Sequence, residues 1–108
     1  MIVKSNPPSE STVDADEVRR ELRERLQERR DILDDLEPRA NPTLDPIAHQ
    51  TATSTRRIID EISTALERLD AGTYGRCVGC GEFIAPQRLE VIPYAAACVE
   101  CQSHAEAT

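Results

Sequence analysis

Four cysteines in two pairs constrain this chain more than any other feature of its sequence. The pairs are Cys77-Val-Gly-Cys80 and Cys98-Val-Glu-Cys101, with seventeen residues between them. A Cys-x-x-Cys turn brings two sulfurs to one edge of a tetrahedral ion, and a second pair completes the coordination. The spacing therefore predicts one Zn²⁺ per chain, held by Cys77, Cys80, Cys98 and Cys101. Four protein ligands leave no position for a metal-bound water, so the predicted site is structural.

Two disulfide bonds are the competing interpretation of the same four cysteines. Residues 1–13 carry one Lys and no apolar stretch, which does not match a secretory signal peptide. The longest apolar run, residues 95–99, is far too short to cross a membrane. We therefore expect a cytoplasmic protein that binds no membrane. In a reducing cytosol, clustered cysteines more often hold metal than form disulfides.

The 108 residues are predicted to divide into three parts. Residues 1–12 look like a disordered tail, residues 13–71 a helical hairpin, and residues 72–108 a C4 zinc-finger module with a short C-terminal helix. The chain has no Trp, one Phe and two Tyr. Such a chain builds a thin core, so we expect its mainly α fold to need support from a metal or from an elongated shape.

The first helix is predicted at about residues 14–37. Asp14 followed by Glu17 resembles a capping box, with Ser11 and Thr12 as competing caps. Pro38 stops the helix because the residue before proline is pushed away from helical angles. Apolar residues at spacings of three, four or seven mark its buried stripe: Ala15, Val18, Leu22, Leu26, Leu33 and Leu36.

The second helix is predicted at about residues 46–71, after a loop at 38–45. Asp45 suits the N-cap, Pro46 the first helical position, and Gly72 ends the helix. Its apolar positions follow steps of four and three, as in a heptad seam: Ala48, Ala52, Thr55, Ile59, Ile62, Leu66 and Leu69. An antiparallel two-helix coiled-coil hairpin buries both stripes most economically.

Several other side chains are weaker candidates for a role. His104 lies one helical turn beyond Cys101 and is an alternative ligand, whereas His49 is expected to be an exposed helix residue. Tyr74, Phe83 and Tyr94 are expected to form the small core of the zinc module. The acids near the loop fit either a solvated face or an acidic surface that meets a basic partner: Asp31, Asp34, Asp35, Glu37 and Asp45.

Charge and motifs together narrow the function class. The net charge of −7 predicts repulsion from nucleic acid and favours a basic protein surface as partner. The cysteine spacing also occurs in GATA-type DNA-binding fingers, which depend on basic residues around the metal. Residues 74–108 hold two Arg against four Glu, so we do not expect DNA binding. The chain contains no Gly-rich phosphate loop and no Ser/His/Asp set, so we do not expect an enzyme. A protein-interaction adaptor and a thiol redox sensor remain open alternatives.

The C-terminal third resembles the DksA/TraR family of C4 zinc-finger proteins. The residues that carry the resemblance are Leu69-Asp-Ala-Gly72-Thr-Tyr-Gly75-Arg-Cys77-Val-Gly-Cys80-Gly81-Glu82, Ile84, Arg88-Leu89-Glu90, Pro93, Ala95 and Cys98-Val-Glu-Cys101-Gln102. The resemblance implies a bacterial transcription regulator that binds RNA polymerase. It further implies a zinc globule on the polymerase rim and a coiled-coil tip in the secondary channel, where it alters open-complex stability, in some members together with ppGpp. We expect a monomer.

The hairpin tip is where this sequence departs from the family. Family members carry Asp-Pro-x-Asp-x-Ala at the start of the second helix, and the matching text here is Asp45-Pro46-Ile47-Ala48-His49-Gln50. The first acid and the proline are kept, while Ala48 replaces the second acid and Gln50 replaces the small residue. The resemblance therefore marks Asp45 and Ala48 as the partner-binding positions of the tip.

Overall fold

The computed structural model describes residues 14–107 and is mainly helical, as predicted. The predicted tail, residues 1–12, lies outside the described residues. The helices are α1 (Ala15–Leu36), α2 (Pro46–Ala71), α3 (Pro86–Val91) and α4 (Val99–Ala107), with a 3₁₀ turn at Glu37–Arg39. Of these elements, α3 and the 3₁₀ turn are not predicted by the sequence pattern.

The helix ends form where the capping residues predict them. The Asp14 carboxylate accepts hydrogen bonds from the backbone N–H groups of Asp16 at 3.0 Å and Glu17 at 3.4 Å. The Asp45 carboxylate accepts from the N–H of Ala48 at 3.1 Å, and Gly72 ends α2 with a φ of 81°. These side chains and the glycine satisfy backbone groups that a helix end leaves without intrahelical partners.

The connection between α1 and α2 is held by local hydrogen bonds. The side-chain oxygen of Asn41 accepts from the N–H groups of Thr43 and Leu44, both at 2.8 Å. The N–H of Asp45 donates to the Asn41 carbonyl oxygen, also at 2.8 Å. An asparagine side chain that bonds its own following backbone is a turn former, so this loop has a defined shape.

The end of the hairpin next to the cysteines contains the larger of two packed regions. Leu22 of α1 and Ile62 of α2 are 0% exposed and pack with Ala65. We call this region the base cluster; the partly buried residues around it are Val18, Leu26, Ile58, Leu66, Tyr74 and Tyr94. Tyr74 and Tyr94, which follow α2 in the chain, therefore pack their rings against this end of the hairpin.

The other end of the hairpin, which we call the tip, is packed with smaller side chains. Leu36 of α1 lies against Ala48 and Ala52 of α2, with Leu33 and Ala40 beside them. Because residues late in α1 meet residues early in α2, the helices are antiparallel, which confirms the predicted hairpin. The small side chains keep the tip slender.

Three residues that were predicted to lie in the buried stripes belong to neither packed region, so those predictions are wrong. Ala15 is exposed in the first turn of α1, beyond the reach of the base cluster. Ile59 and Leu69 are half-buried but belong to neither packed region, while Ile58 and Ala65 pack into the base cluster in their place. The reason is geometric, since a helix with 3.6 residues per turn drifts away from a strict heptad repeat and brings neighbouring positions into the interface.

Ion pairs join the two helices at each end. Arg19 reaches Asp70 at 3.0 Å near the base, and Arg56 reaches Glu37 at 3.2 Å near the tip. Each pair has an exposed partner, so its contribution to stability is about 0–1 kcal/mol. Burial of the apolar stripes therefore dominates the hairpin's stability. Within residues 14–107, no helix is both long enough and apolar enough to cross a membrane.

The base cluster can be tested with a buried charge. Ile62→Asp places a carboxylate at a 0% exposed position without a cationic partner, and we expect it to lower the free energy of unfolding by about 4 kcal/mol. Gln50→Asp, on the exposed face of the same helix, should change it by less than about 0.5 kcal/mol. Urea unfolding followed by circular dichroism measures both, and equal losses would contradict the assigned interface.

Candidate metal centre

The structure brings the four cysteines together. Cys77 and Cys80 lie in the turn that follows α2, Cys98 directly precedes α4, and Cys101 lies in its first turn. Their four Sγ atoms all lie within 4.8 Å of one another, and all four are free thiols. A tetrahedral zinc ion with Zn–S bonds of 2.3 Å places its sulfurs about 3.8 Å apart. The cluster therefore matches a single tetrahedral ion.

Backbone N–H groups are directed at the sulfurs. Cys77 Sγ accepts from the N–H groups of Gly79 and Cys98, each at 3.3 Å. Cys98 Sγ accepts from the N–H of Cys101 at 3.4 Å. These donors stabilise negative charge on sulfur, which is the form in which cysteine binds a metal. The first pair of cysteines is also tied to the second by the contact between Cys77 and Cys98.

The thiols perturb one another's ionisation. The hydrogen bond from the Cys98 N–H, aided by those of Cys80 and Gly79, lowers the pKa of Cys77 to about 6. The pKa of Cys101 is raised to about 12, chiefly by its neighbours Cys77 and Cys98. Four thiolates in such proximity need a cation to neutralise them, and soft sulfur donors select zinc over hard cations. The donor set thus fits Zn²⁺.

Two glycines are required around the first cysteine pair for different reasons. A Cβ at Gly79 would lie 3.0 Å from Cys101 Sγ and 3.2 Å from Cys101 Cβ, so a side chain at this position requires Cys101 to shift. Gly81 has open space around it but a φ of 79°, a conformation that other residues rarely adopt. The first position is limited by space and the second by backbone angle.

Polar contacts attach the cysteine module to the hairpin base. The Tyr74 hydroxyl donates to the Pro93 carbonyl oxygen at 2.7 Å, while burial, followed by the nearby Glu21 carboxylate, raises the pKa of Tyr74 to about 12. The Arg68 guanidinium, from the last turn of α2, donates to the carbonyl oxygens of Thr73 and Arg76. The loop that carries Cys77 is therefore fastened to α2.

Three of the weaker predictions are resolved by the structure. Tyr74 and Tyr94 pack against the base cluster of the hairpin instead of forming a core of the zinc module, and Phe83 is 49% exposed, with its ring centroid 4.3 Å from the Arg76 guanidinium carbon. A cation–π contact at the surface thus replaces the predicted core position. His104 is exposed and does not belong to the sulfur cluster, and His49 is half-buried instead of exposed.

The two predicted tip positions lie at the opposite end of α2 from the metal centre. This helix has 26 residues and so is about 39 Å long. Asp45 is half-buried, with its carboxylate engaged as the N-cap. Ala48 is only 6% exposed because it packs against α1, so the wild-type side chain is not presented to a partner. That placement corrects the expectation that Ala48 itself forms part of a contact surface.

Sequence reasoning missed two residues at the tip. Leu44 is 84% exposed and Ile47 is 76% exposed, the highest values among the large hydrophobic residues of the described chain. The signal was present in the sequence, since two large aliphatic residues flank Asp45-Pro46 at positions that the heptad pattern does not use. Most of the loop acids are engaged locally: Asp31 with Gln27, Asp35 with Arg39, and Glu37 with Arg56.

The fold and the sulfur cluster define a protein with a C4-type zinc finger attached to a helical hairpin. Residues 72–107 match the family model of the prokaryotic dksA/traR C4-type zinc finger. The chain is 37% identical over 95 residues to the RNA polymerase-binding transcription factor DksA of Caulobacter vibrioides, an alignment that covers 84% of this chain and 67% of that protein. It belongs to the DksA/TraR family.

Two further comparisons show the extent of the similarity. The solved structure of the RNA polymerase binding protein and transcriptional regulator Dks from Chlamydia trachomatis superposes with a TM-score of 0.56 at 28% identity, covering 87% of this chain and 92% of that one. General stress protein 16O of Bacillus subtilis is 41% identical over 51 residues, or 47% of this chain. The matched region spans 31% of that relative's length.

Removing the metal tests the centre. Purified protein should contain one zinc per chain by elemental analysis, and chelation should unfold residues 73–102 while much of the hairpin stays helical, because α1 and α2 bury their stripes against each other. Amide hydrogen exchange before and after chelation measures this difference. Less than half an equivalent of metal, with disulfides in its place, would overturn the zinc interpretation.

The spatial limit at Gly79 gives a second test. Gly79→Ala adds a methyl group 3.0 Å from Cys101 Sγ, and we expect it to weaken zinc affinity by about tenfold or more. Val78→Ala is the matched control, because Val78 is 68% exposed in the same turn. Competition with a chromophoric chelator measures both. Equal affinities for the two variants would show that the turn relaxes freely around a side chain.

Proposed function

We propose that this protein is a zinc-binding transcription regulator that binds RNA polymerase, with the hairpin tip entering the polymerase secondary channel. The observation that carries the proposal is a slender helical tip about 39 Å from the zinc module, on a chain whose Caulobacter relative is named an RNA polymerase-binding transcription factor. That alignment covers 84% of the chain, so it includes hairpin as well as zinc finger.

The shape of the molecule supports insertion into a narrow opening. Its principal extents are 60 × 33 × 21 Å, so it is elongated along the hairpin. Ala48, Ala52 and Thr55 are all buried, and their small volume lets the helices approach closely near the tip. The wider end carries the zinc module. A probe of this form can rest its broad end on an outer surface while its narrow end reaches inward.

The metal has a structural role in this proposal. Cys77, Cys80, Cys98 and Cys101 would hold one Zn²⁺, whose binding contributes folding free energy on the order of 10–16 kcal/mol in small zinc modules. The Cys77 loop is fastened to α2 through Arg68, so the ion would also stabilise the hairpin base. Protein ligands would fill all four coordination positions, so the zinc has no catalytic role in this proposal.

The remaining features of the proposal concern the partner of the protein, its location in the cell and its oligomeric state. A net charge of −7 favours a protein partner over direct binding to nucleic acid, and the names of two relatives support RNA polymerase as that partner. We propose that it acts in the cytoplasm, as a monomer and without enzymatic activity. Asp45 is the residue of the tip that we propose acts on transcription.

The role of Asp45 can be tested without disturbing the fold. Asp45→Asn removes a charge but keeps an oxygen that can accept from the Ala48 N–H, so folding should be normal. We expect core polymerase binding to stay near normal, while the effect on open-complex lifetime is largely lost. Asp34→Asn, which removes an exposed charge from late α1, is the matched control and should keep the effect.

Restoring the second family acid gives a complementary variant. Ala48→Asp should lower the free energy of unfolding because position 48 is 6% exposed, and the carboxylate, which costs free energy when buried, should turn outward and strengthen the effect on open-complex lifetime. Promoter-complex decay with all four proteins side by side provides the comparison, after a pull-down with core polymerase. Absence of wild-type binding would leave the protein-interaction adaptor as the function. Binding without any effect on decay would reduce the protein to a channel competitor.

A further inference from the structure

The two exposed aliphatic residues at the tip do not contribute to the packed regions of the described fold. Leu44 and Ile47 are 84% and 76% exposed, and neither contributes to the two packed regions of the hairpin. Single exposed aliphatic residues are ordinary on protein surfaces. Two of them separated only by the capping residues Asp45 and Pro46, at the end of an elongated molecule, are a concentrated apolar feature.

The backbone that carries this pair is fixed in place. Asn41 bonds the N–H of Leu44 through its side chain at 2.8 Å and the N–H of Asp45 through its carbonyl, also at 2.8 Å. On the other side, Asp45 caps α2 and Pro46 sets the backbone angle of its first residue. The exposure of Leu44 and Ile47 is therefore built into a defined turn, which reduces the entropy lost on binding.

The charges around the pair indicate the character of its partner. Residues 31–50 contain five carboxylates and one arginine, and Arg56 pairs with one of those carboxylates, so the tip carries a net negative charge. An acidic surface with an apolar centre is complementary to an apolar pocket bordered by basic groups. A nucleic acid or an anionic membrane would be repelled by the same charges.

We propose that Leu44 and Ile47 dock the tip into an apolar, basic-rimmed pocket of RNA polymerase and so hold Asp45 in position. This inference rests on the proposed function and adds to it a division of labour at the tip. The two aliphatic side chains supply affinity and placement, and the carboxylate between them acts on the polymerase.

The test replaces both side chains with polar ones of similar length. Leu44→Gln/Ile47→Gln should fold with unchanged stability, because both positions are exposed. Its affinity for core RNA polymerase, measured by titration, should fall about tenfold for each side chain that loses its buried contact. Ile32→Gln is the matched control, since Ile32 is 43% exposed on α1, outside the turn that carries the pair, and it should bind as wild type does.

The outcomes separate this inference from the proposed function. Polymerase binding by wild type and the Ile32 variant, with a large loss in the double variant, supports docking through the pair. Equal binding by all three overturns docking and leaves the proposed function standing. Absence of wild-type binding overturns both. A concentration-dependent wild-type dimer that the double variant abolishes, seen by analytical ultracentrifugation, would assign the pair to self-association and also overturn the inference.

Discussion

The mutual repulsion of four clustered sulfurs is the constraint around which the rest of this structure is arranged. Sulfurs within 4.8 Å of one another are tolerated as thiolates only around a cation. The backbone donors at Gly79, Cys98 and Cys101 lower the energy of that state. The module so formed presents Tyr74 and Tyr94 to the open end of the hairpin. A chain with few aromatics thereby closes its larger core with residues that the metal site holds in place.

The sequence predicted those parts of the fold that depend on short-range chemistry. The caps at Asp14, Asp45 and Gly72 and the cysteine pairs each follow from one or two residues acting on adjacent backbone. Side-chain placement across the interface was harder to predict, as Ile58 and Ile59 show. Both fit an apolar seam, and the drift of a helix with 3.6 residues per turn away from a strict heptad repeat brings Ile58 into the interface.

The functional tip shows a second limit of sequence reasoning. A family pattern singled out position 48 for partner binding, whereas the heptad pattern placed Ala48 in the seam, and the packing of α2 against α1 confirms the seam position. The heptad pattern passed over Leu44 and Ile47, because alternation and heptad rules identify residues that a fold buries. Residues that a fold leaves exposed for another molecule follow no such period. The sequence shows only that two large aliphatic residues flank Asp45-Pro46, and their exposure is established by the three-dimensional turn made by Asn41.

The short connection between α1 and α2 has a consequence for the order of folding. Its hydrogen bonds span at most a few residues, and the hairpin it closes precedes all four cysteines in the chain. Contacts between elements close in sequence form quickly, and chains fold from the N-terminus as they leave the ribosome. The helices can therefore be assembled when Cys77 and Cys80 emerge. Cys98 and Cys101 then meet a first cysteine pair that is already attached to a folded hairpin. This order shortens the interval in which thiols without metal are exposed to oxidants.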